Sequence, residues 1–467
     1  MTRALAAAVL LALPPARAAD RPALTDDSSG PAQLTLPGCV AKALSDAVPV
    51  LEAAHADRAA AARLLQGYAQ FLPNLETQGD YSQIRGPQNL TFAQPIIVDS
   101  RNRGYSYQVS STLNLFNGLA DYGAFKTALG GRRAAALTLE RARQQIALDI
   151  AQAYLQVKLD DEIVRFGEGN LKASEERESL LDQQTQVGER GLPDLYRQQA
   201  QTSADRSFLI DARNKRHDDL LALLRRARYD MGRDYALADV AVDSAAAQVP
   251  SGDESGLVTG ALDARPDLRA AFERVEAAGG ALTSARSGYF PRLDLGWSMA
   301  STSRLYDTDY VNGVNFVPAF QSSLGSQLDQ YVNYTVGVTA KWGIFDRLTT
   351  FSASKQAAAA LADARVEYED ARLAVEQDVK QALGDFHAAE QKLEAARQGV
   401  KAAGESYDAT AERYQVAASS LLDLLTAQSA LLQSQAALAQ ARIGLYLQAR
   451  QMEFALGRMP VLGAAER

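Results

Sequence analysis

Two aspartates are the residues best placed to act on charged solutes. Asp194 follows Gly191-Leu192-Pro193 and Asp423 follows Ser420-Leu421-Leu422, and each sits just after a break between two helix-like runs. A carboxylate repeated around an axis selects cations and can bind a divalent or polyvalent one. Crowded like charges also raise some of their pKa values. A lone acid in a first helical turn has a plainer use, because the helix dipole favours it there. Little else in the chain offers chemistry. His55, His217 and His387 are scattered without ligand spacing, and no phosphate loop, nucleophile or metal motif occurs. No cofactor and no enzyme reading therefore has residues behind it. The single cysteine, Cys39, excludes an internal disulfide. Leu36-Pro37-Gly38-Cys39 has the look of a lipid-attachment box, but it lies behind Asp26 and Asp27, far beyond the apolar leader run. Cys39 reads instead as a small buried apolar residue on the first helix.

The elements that carry these aspartates follow a leader. Arg3, the apolar run Leu5 to Leu13 and the small-residue site Ala16-Arg17-Ala18 fit a secretory signal peptide over residues 1–19. Its removal makes the chain more acidic than its formal charge of −8, which argues against a nucleic-acid partner. No later segment offers about 18 uninterrupted apolar residues, so no transmembrane helix is expected.

After a polar linker (20–33), residues 34–70 are Ala-rich and helix-like, with Pro49 as a break or restart. Period-2 alternation then marks a β-hairpin over 74–115. Tyr105, Tyr107, Val109, Leu113 and Leu115 are expected on one face, and residues 85–103 in a polar loop. Residues 118–230, strong helix formers broken at Gly188 and Gly191-Leu192-Pro193, predict a long helix pair. A 70-residue helix would run ~105 Å at 1.5 Å per residue, longer than one globular core needs. A mixed segment, 231–258, closes the first repeat (34–258).

The chain then begins again at 259–457. Tyr289-Phe290-Pro291 echoes Phe71-Leu72-Pro73, a second hairpin spans 292–344, and a second helix pair spans 347–457, before a short tail (458–467). Leu115 and Ile344, Asp149 and Asp378, Gly191 and Ser420, Asp194 and Asp423, and Gln199 and Gln428 all lie 229 positions apart (344 less 115). Such constant register marks an internal duplication of helix, hairpin, long helix and return helix. Both copies change from period 2 to period 3.6 at a Phe, so Phe116 and Phe345 mark the two strand-to-helix junctions.

One strand face is Tyr, Val, Leu and Trp, and the other is Ser, Thr, Asn, Gln and Lys, with Asp80, Asp294 and Lys341 on the polar side. A half-wet soluble sheet alternates in the same way, but ten-residue strands with polar insides and aromatic ends fit outer-membrane barrels. Trp297, Trp342, Tyr105 and Tyr331 would then form interfacial girdles. Four strands cannot close a barrel, and open edges are not tolerated in lipid. Closure needs several copies: two give 8 strands, three give 12.

In these features the chain resembles the TolC-type outer-membrane efflux protein family over essentially its whole mature length. They are the duplicated unit, the Phe-Leu-Pro and Tyr-Phe-Pro strand starts, Leu115-Phe116-Asn117-Gly118, and Tyr414 followed by Leu422-Asp423-Leu424-Leu425-Thr426-Ala427-Gln428. The resemblance implies a mainly α fold with a transmembrane β-hairpin pair. It further implies a homotrimer in outer-membrane lipid, whose 12-stranded β-barrel continues as a long α-helical barrel across the periplasm. Its partners would be a periplasmic adaptor protein and an inner-membrane transporter. The implied function is the outer-membrane conduit of a tripartite efflux pump for small toxic compounds, or alternatively of a type I protein secretion system. A gate is implied at the helix turns, with Asp194 and Asp423 as the acid ring and Tyr414 as the linking tyrosine. Two departures stand out: the family's second acid is Thr426 here and its linking arginine is Ser419. Arg190, equivalent to Ser419 in the first copy, can supply the cation. A soluble coiled-coil scaffold would explain the helices but not the hairpins, and a passive porin the hairpins but not the helices.

Overall fold

The computed structural model describes residues 32–91, 95–239, 253–311, 314–315, 322–416 and 418–458. The leader, most of the linker, residues 240–252 of the mixed segment and the end of the tail lie outside the described residues. The chain opens with β1 (Ala32–Leu34), which pairs in parallel with β4 (Tyr235–Leu237), so the expected linker ends in a strand. Helix α1 (Leu36–Asp46) carries Cys39, fully buried as expected, and burial pushes its thiol up to about 11. Helix α2 (Val48–Ala69) starts anew with Pro49 in its first turn, where the missing N–H costs nothing.

The first hairpin is longer than its alternation indicates. β2 (Glu76–Thr91) and β3 (Pro95–Asn117) pair without interruption from Glu76↔Ser110 to Thr91↔Pro95. The segment 85–103, expected as a loop, is therefore strand. Pro87 is tolerated because β2 is an edge strand, where a missing N–H breaks no ladder bond. β3 also pairs with β5 (Arg292–Val311), which joins the two hairpins into one antiparallel sheet of order β2-β3-β5-β7. β7 (Asn333–Lys341) pairs with the first half of β5, and the two-residue β6 (Val314–Asn315) pairs with its far end. A short helix, α7 (Leu324–Gln330), interrupts the expected second loop and hydrogen-bonds β5 through Ser301 and Ser303.

The two sheet faces differ sharply. Val109, Met299 and Tyr334 stand in one cross-strand row, then Trp297 and Val336, then Leu113, Leu295 and Val338. On the other face stand Ser110, Ser298 and Thr335, then Asn114, Asp294 and Thr339. A bulge falls at Leu115, because Asn114 pairs with Asp294 and Phe116 with Leu293. Leu115 is thus the extra residue, and Phe116 rather than Leu115 continues the apolar row.

Below the sheet, α3 (Ala120–Gln186) and α8 (Thr349–Gln415) are both 67 residues long and begin 229 positions apart. They return as α4 (Leu192–Ala227) and α9 (Leu421–Ala455). Helices α5 (Glu254–Ala264) and α6 (Pro266–Ala285) each start 218 positions after α1 and α2. The repeat boundary expected at 258 cuts through α5, and this correspondence moves it to before Glu254.

Midway along α3, residues 146–157 pack with α1, β1 and the end of α4, and the Tyr154 hydroxyl lies 2.7 and 2.9 Å from the carbonyls of Ala238 and Leu34. A matching core joins α5 to α8 and the end of α9. There Arg265, buried between Asp267 and Asp378 (2.5 and 2.7 Å), fastens the start of α6 to α8 within the second repeat, and Arg141 of α3, 3.5 Å from Asp267, ties the first repeat to it. A further lock lies near the sheet, where α3 and α6 touch backbone to backbone. A Cβ on Gly280 would stand 2.8 Å from the Gly123 carbonyl, and one on Gly123 would stand 2.6 Å from that of Gly280.

Candidate functional site at the helix turns

The sequence-predicted site residues fall into two groups at opposite ends of helices about 100 Å long, taking 1.5 Å for each of 67 residues. At the far end from the sheet, the two helix turns lie side by side. Leu181, Leu195 and Leu421 form a small buried cluster with Tyr414 and Leu425 against it. The Arg190 guanidinium lies 4.9 Å from the centre of the Tyr414 ring, a cation–π contact between the two repeats. The Tyr414 hydroxyl is buried with no hydrogen-bond partner among the described residues. Arg190 and Tyr414 are thus brought together.

The two aspartates, equivalent in sequence, are held differently. Ser420 caps α9, its hydroxyl accepting from the Asp423 N–H (3.2 Å), while the Asp423 carboxylate accepts from the Ser420 N–H (3.1 Å) and hydroxyl (2.7 Å). Ser419 donates a further bond at 3.2 Å. These bonds, the Ser420 hydroxyl first, hold the Asp423 carboxyl below its ordinary value. This is a capping box with Asp in the N3 position. Glycine replaces the capping serine in the first copy, so Gly191 gives α4 no side-chain cap. Asp194 keeps only a loose contact with Arg197, at 3.9 Å. The plainer reading of an N-terminal acid therefore describes Asp423 well and leaves Asp194 the freer carboxylate.

At the sheet end, the junction geometry repeats residue for residue. Gly118 and Leu119 both take left-handed φ (66° and 69°), and so do Arg347 and Leu348 (58° and 63°), 229 positions on. The Asn117 side chain accepts from the Asp121 N–H (3.3 Å), and the Asp346 carboxylate accepts from the Thr350 N–H (2.7 Å). Each junction is thus a two-residue left-handed corner bridged by an Asx side chain, which feeds directly into a 67-residue helix. Phe116 and Phe345 immediately precede it, and Phe345 is 77% exposed. Periodicity found these positions but not the corner. The Asn and Asp at matched positions were the available signal.

An apolar-faced sheet whose edge strands β2 and β7 have no partner strand among the described residues is joined by tight corners to helices far longer than a globular core needs. Residues 40–227 and 257–458 match the outer membrane efflux protein family, and the chain belongs to that family. It is an outer-membrane protein of a family of channels. Among solved structures it is similar to the outer-membrane channel OprN (TM-score 0.76, 21% identity, 91% of this chain and 90% of that one). It is also similar to the CmeC outer membrane channel of Campylobacter jejuni (0.78, 17%, 91% and 85%) and to the open state of the MtrE outer membrane channel of Neisseria gonorrhoeae (0.70, 19%, 90% and 88%). No curated protein sequence matches the chain significantly.

Proposed function

We propose that three copies of the chain close a 12-stranded barrel in the outer membrane and a helical tunnel in the periplasm, forming the exit duct of a tripartite pump for small toxic compounds. The supporting observation is the sheet itself. Its edges, β2 and β7, have no partner strand among the described residues, while β7 presents Tyr334, Val336 and Val338 at 63–70% exposure. Unpaired backbone cannot stand in hydrocarbon, so both edges must pair with further copies. None of the described helices is long and apolar enough to cross a membrane.

The turns at 187–191 and 416–420 then reach deepest into the periplasm, where an adaptor and an inner-membrane transporter would meet them. Repetition around the axis turns Asp194 and Asp423 into an acidic constriction, with Arg190 on Tyr414 holding the repeats together. Phe116 and Phe345 mark the rim where barrel becomes tunnel. Deletion of the gene should sensitise cells to toxic small molecules, and crosslinkers placed at both turns should recover an adaptor. A deletion strain with unchanged susceptibility across a broad compound panel would contradict the efflux reading.

A further inference from the structure

The apolar face of the sheet ends in arginine. Along β3 that face carries Phe116, Leu113, Val109 and Tyr105, beside Leu293, Leu295, Met299 and Ser303 of β5. Aromatic rings stand at both ends of the band. Phe116 and Trp342 lie toward the corners, and Tyr81 and Tyr105 close the other end with ring centres 5.1 Å apart. From the Phe116 row to the Tyr105 row is eleven positions less the Leu115 bulge. At ~3.4 Å per position and a strand tilt of ~40° the band rises ~26 Å, close to the ≈25 Å apolar band of a membrane barrel.

The next two rows outward on this face change character. Gln83, Arg103 and Leu305 form one, and Arg85, Arg101 and Thr308 form the other. Arg85 and Arg101 are exposed and directly opposed. Like charges opposed across two strands destabilise a sheet. The neutral Gln83 amide, turned to accept, lies 2.9 Å from the Arg85 guanidinium. Arg103 gives one nitrogen to Asp307 at 2.7 Å, while its Nε is buried with no partner among the described residues. Asp99 stands one row farther out, opposite Pro87. Three arginines therefore meet two acids, and the ladder sets no acid between Arg85 and Arg101. Guanidinium groups are costly in hydrocarbon, and just beyond a tyrosine girdle they reach the level of the lipid headgroups. The corners lead into the periplasmic helices, so this end of the barrel lies in the external leaflet.

We infer that Arg85 and Arg101, with Arg103 beside them, form a site on the outside of the barrel for a phosphate group of an outer-leaflet lipid. Each guanidinium presents a planar fork that takes phosphate bidentately. Directly opposed side chains start ~5 Å apart at Cβ, so both forks reach one phosphate. Its charge turns the repulsion between the two arginines into two charge-assisted contacts. The occupant is a lipid because the site opens on the face whose neighbouring rows are apolar. Acyl chains attached to the phosphate then lie along Tyr105, Val109 and Leu113.

The site rests on the multi-copy barrel reading above, and its test separates the two. The full chain is reconstituted in phosphatidylcholine vesicles doped with lipid A, a diphosphorylated glycolipid, or with lipid A stripped of its phosphates. After detergent extraction, native mass spectrometry counts the copies of the chain and the glycolipids retained. The unaltered chain should retain lipid A about tenfold more than the stripped form. Arg85→Gln with Arg101→Gln should abolish that preference. Lys341→Gln, which removes a charge from the polar face, should leave it unchanged. Equal retention of the two lipids by the unaltered chain overturns the site, and this comparison needs no variant to assemble. A preference that survives the double variant, in a particle of several copies, also overturns it. A particle of one copy overturns the barrel reading and the site with it.

Discussion

At the scale of single residues, the paired aspartates show how equal sequence positions acquire unequal chemistry. Asp423 spends its carboxylate on a capping box, whereas Asp194 has only Arg197 at 3.9 Å. In planar bilayers, Asp194→Asn should weaken block by trivalent cations at least as much as Asp423→Asn, and both together most. Block unchanged in the double variant would remove the aspartates from the gate. The capping difference has its own test. Gly191 already has an extended N-cap backbone and room for a Cβ, so Gly191→Ser should transplant the box and stabilise the start of α4 by about 0.3 kcal/mol. Slower amide exchange over 192–196 would register it.

A buried charge supplies a pH signature at the same scale. Asp160 is 2% exposed between α3 and α4, and burial, with Asp219 beside it, raises its carboxyl to about 6 despite Lys215 at 3.4 Å. An acid whose folded pKa lies above its unfolded value binds its proton more tightly when folded. Its contribution favours folding below about pH 4 and is lost as pH rises through about 6. Asp160→Asn should therefore raise Tm more at pH 7.5 than at pH 5, and an equal change at both would contradict this assignment.

At the scale of elements, the left-handed corners do the positioning. A Cβ on Gly118 would stand 2.4 Å from the Ser287 carbonyl, so Gly118→Ala should block correct docking of α3 under the sheet. Arg347, exposed, occupies the matching corner and bears the ~1–2 kcal/mol left-handed penalty of a side chain. Arg347→Gly should be tolerated or slightly stabilising by thermal unfolding. Much of this scale was legible in the sequence. Period-2 and period-3.6 runs located both hairpins and both long helices, and the 229-residue register found the duplication. Strand lengths were not legible. The prolines and polar residues of 85–103 read as loop, yet a tall hairpin satisfies its backbone through Gly86↔Ser100 and Pro87↔Asp99. The bulge at Leu115 was hidden for a related reason: it shifts the pattern by one residue only at the junction.

At the scale of the whole molecule, the two repeats are joined by apolar seams and by Arg141 of α3, which reaches Asp267 beside an ionic knot inside the second repeat. Arg265 is 4% exposed and bonds Asp267 and Asp378, and its guanidinium keeps the Asp267 carboxyl below its ordinary value against the opposing effect of burial. Arg265→Ala removes a buried side chain and both of its ion pairs, but Asp267 and Asp378 are 37% and 50% exposed, so it should cost about 1–3 kcal/mol, against under about 1 kcal/mol for loss of the exposed Lys42–Asp46 pair. Urea titration of detergent-solubilised protein distinguishes the two. This knot was invisible in the sequence, because it joins Arg265 to Asp378, more than a hundred positions away. The family was legible from motif order alone, while the different holds on Asp194 and Asp423 required coordinates.

In the proposed duct, the two open edges of the sheet are closed by further copies of the same chain. Native mass spectrometry of the protein solubilised from outer membranes measures this directly. A particle of three chains is expected, and a stable single-chain particle would rule out closure by further copies.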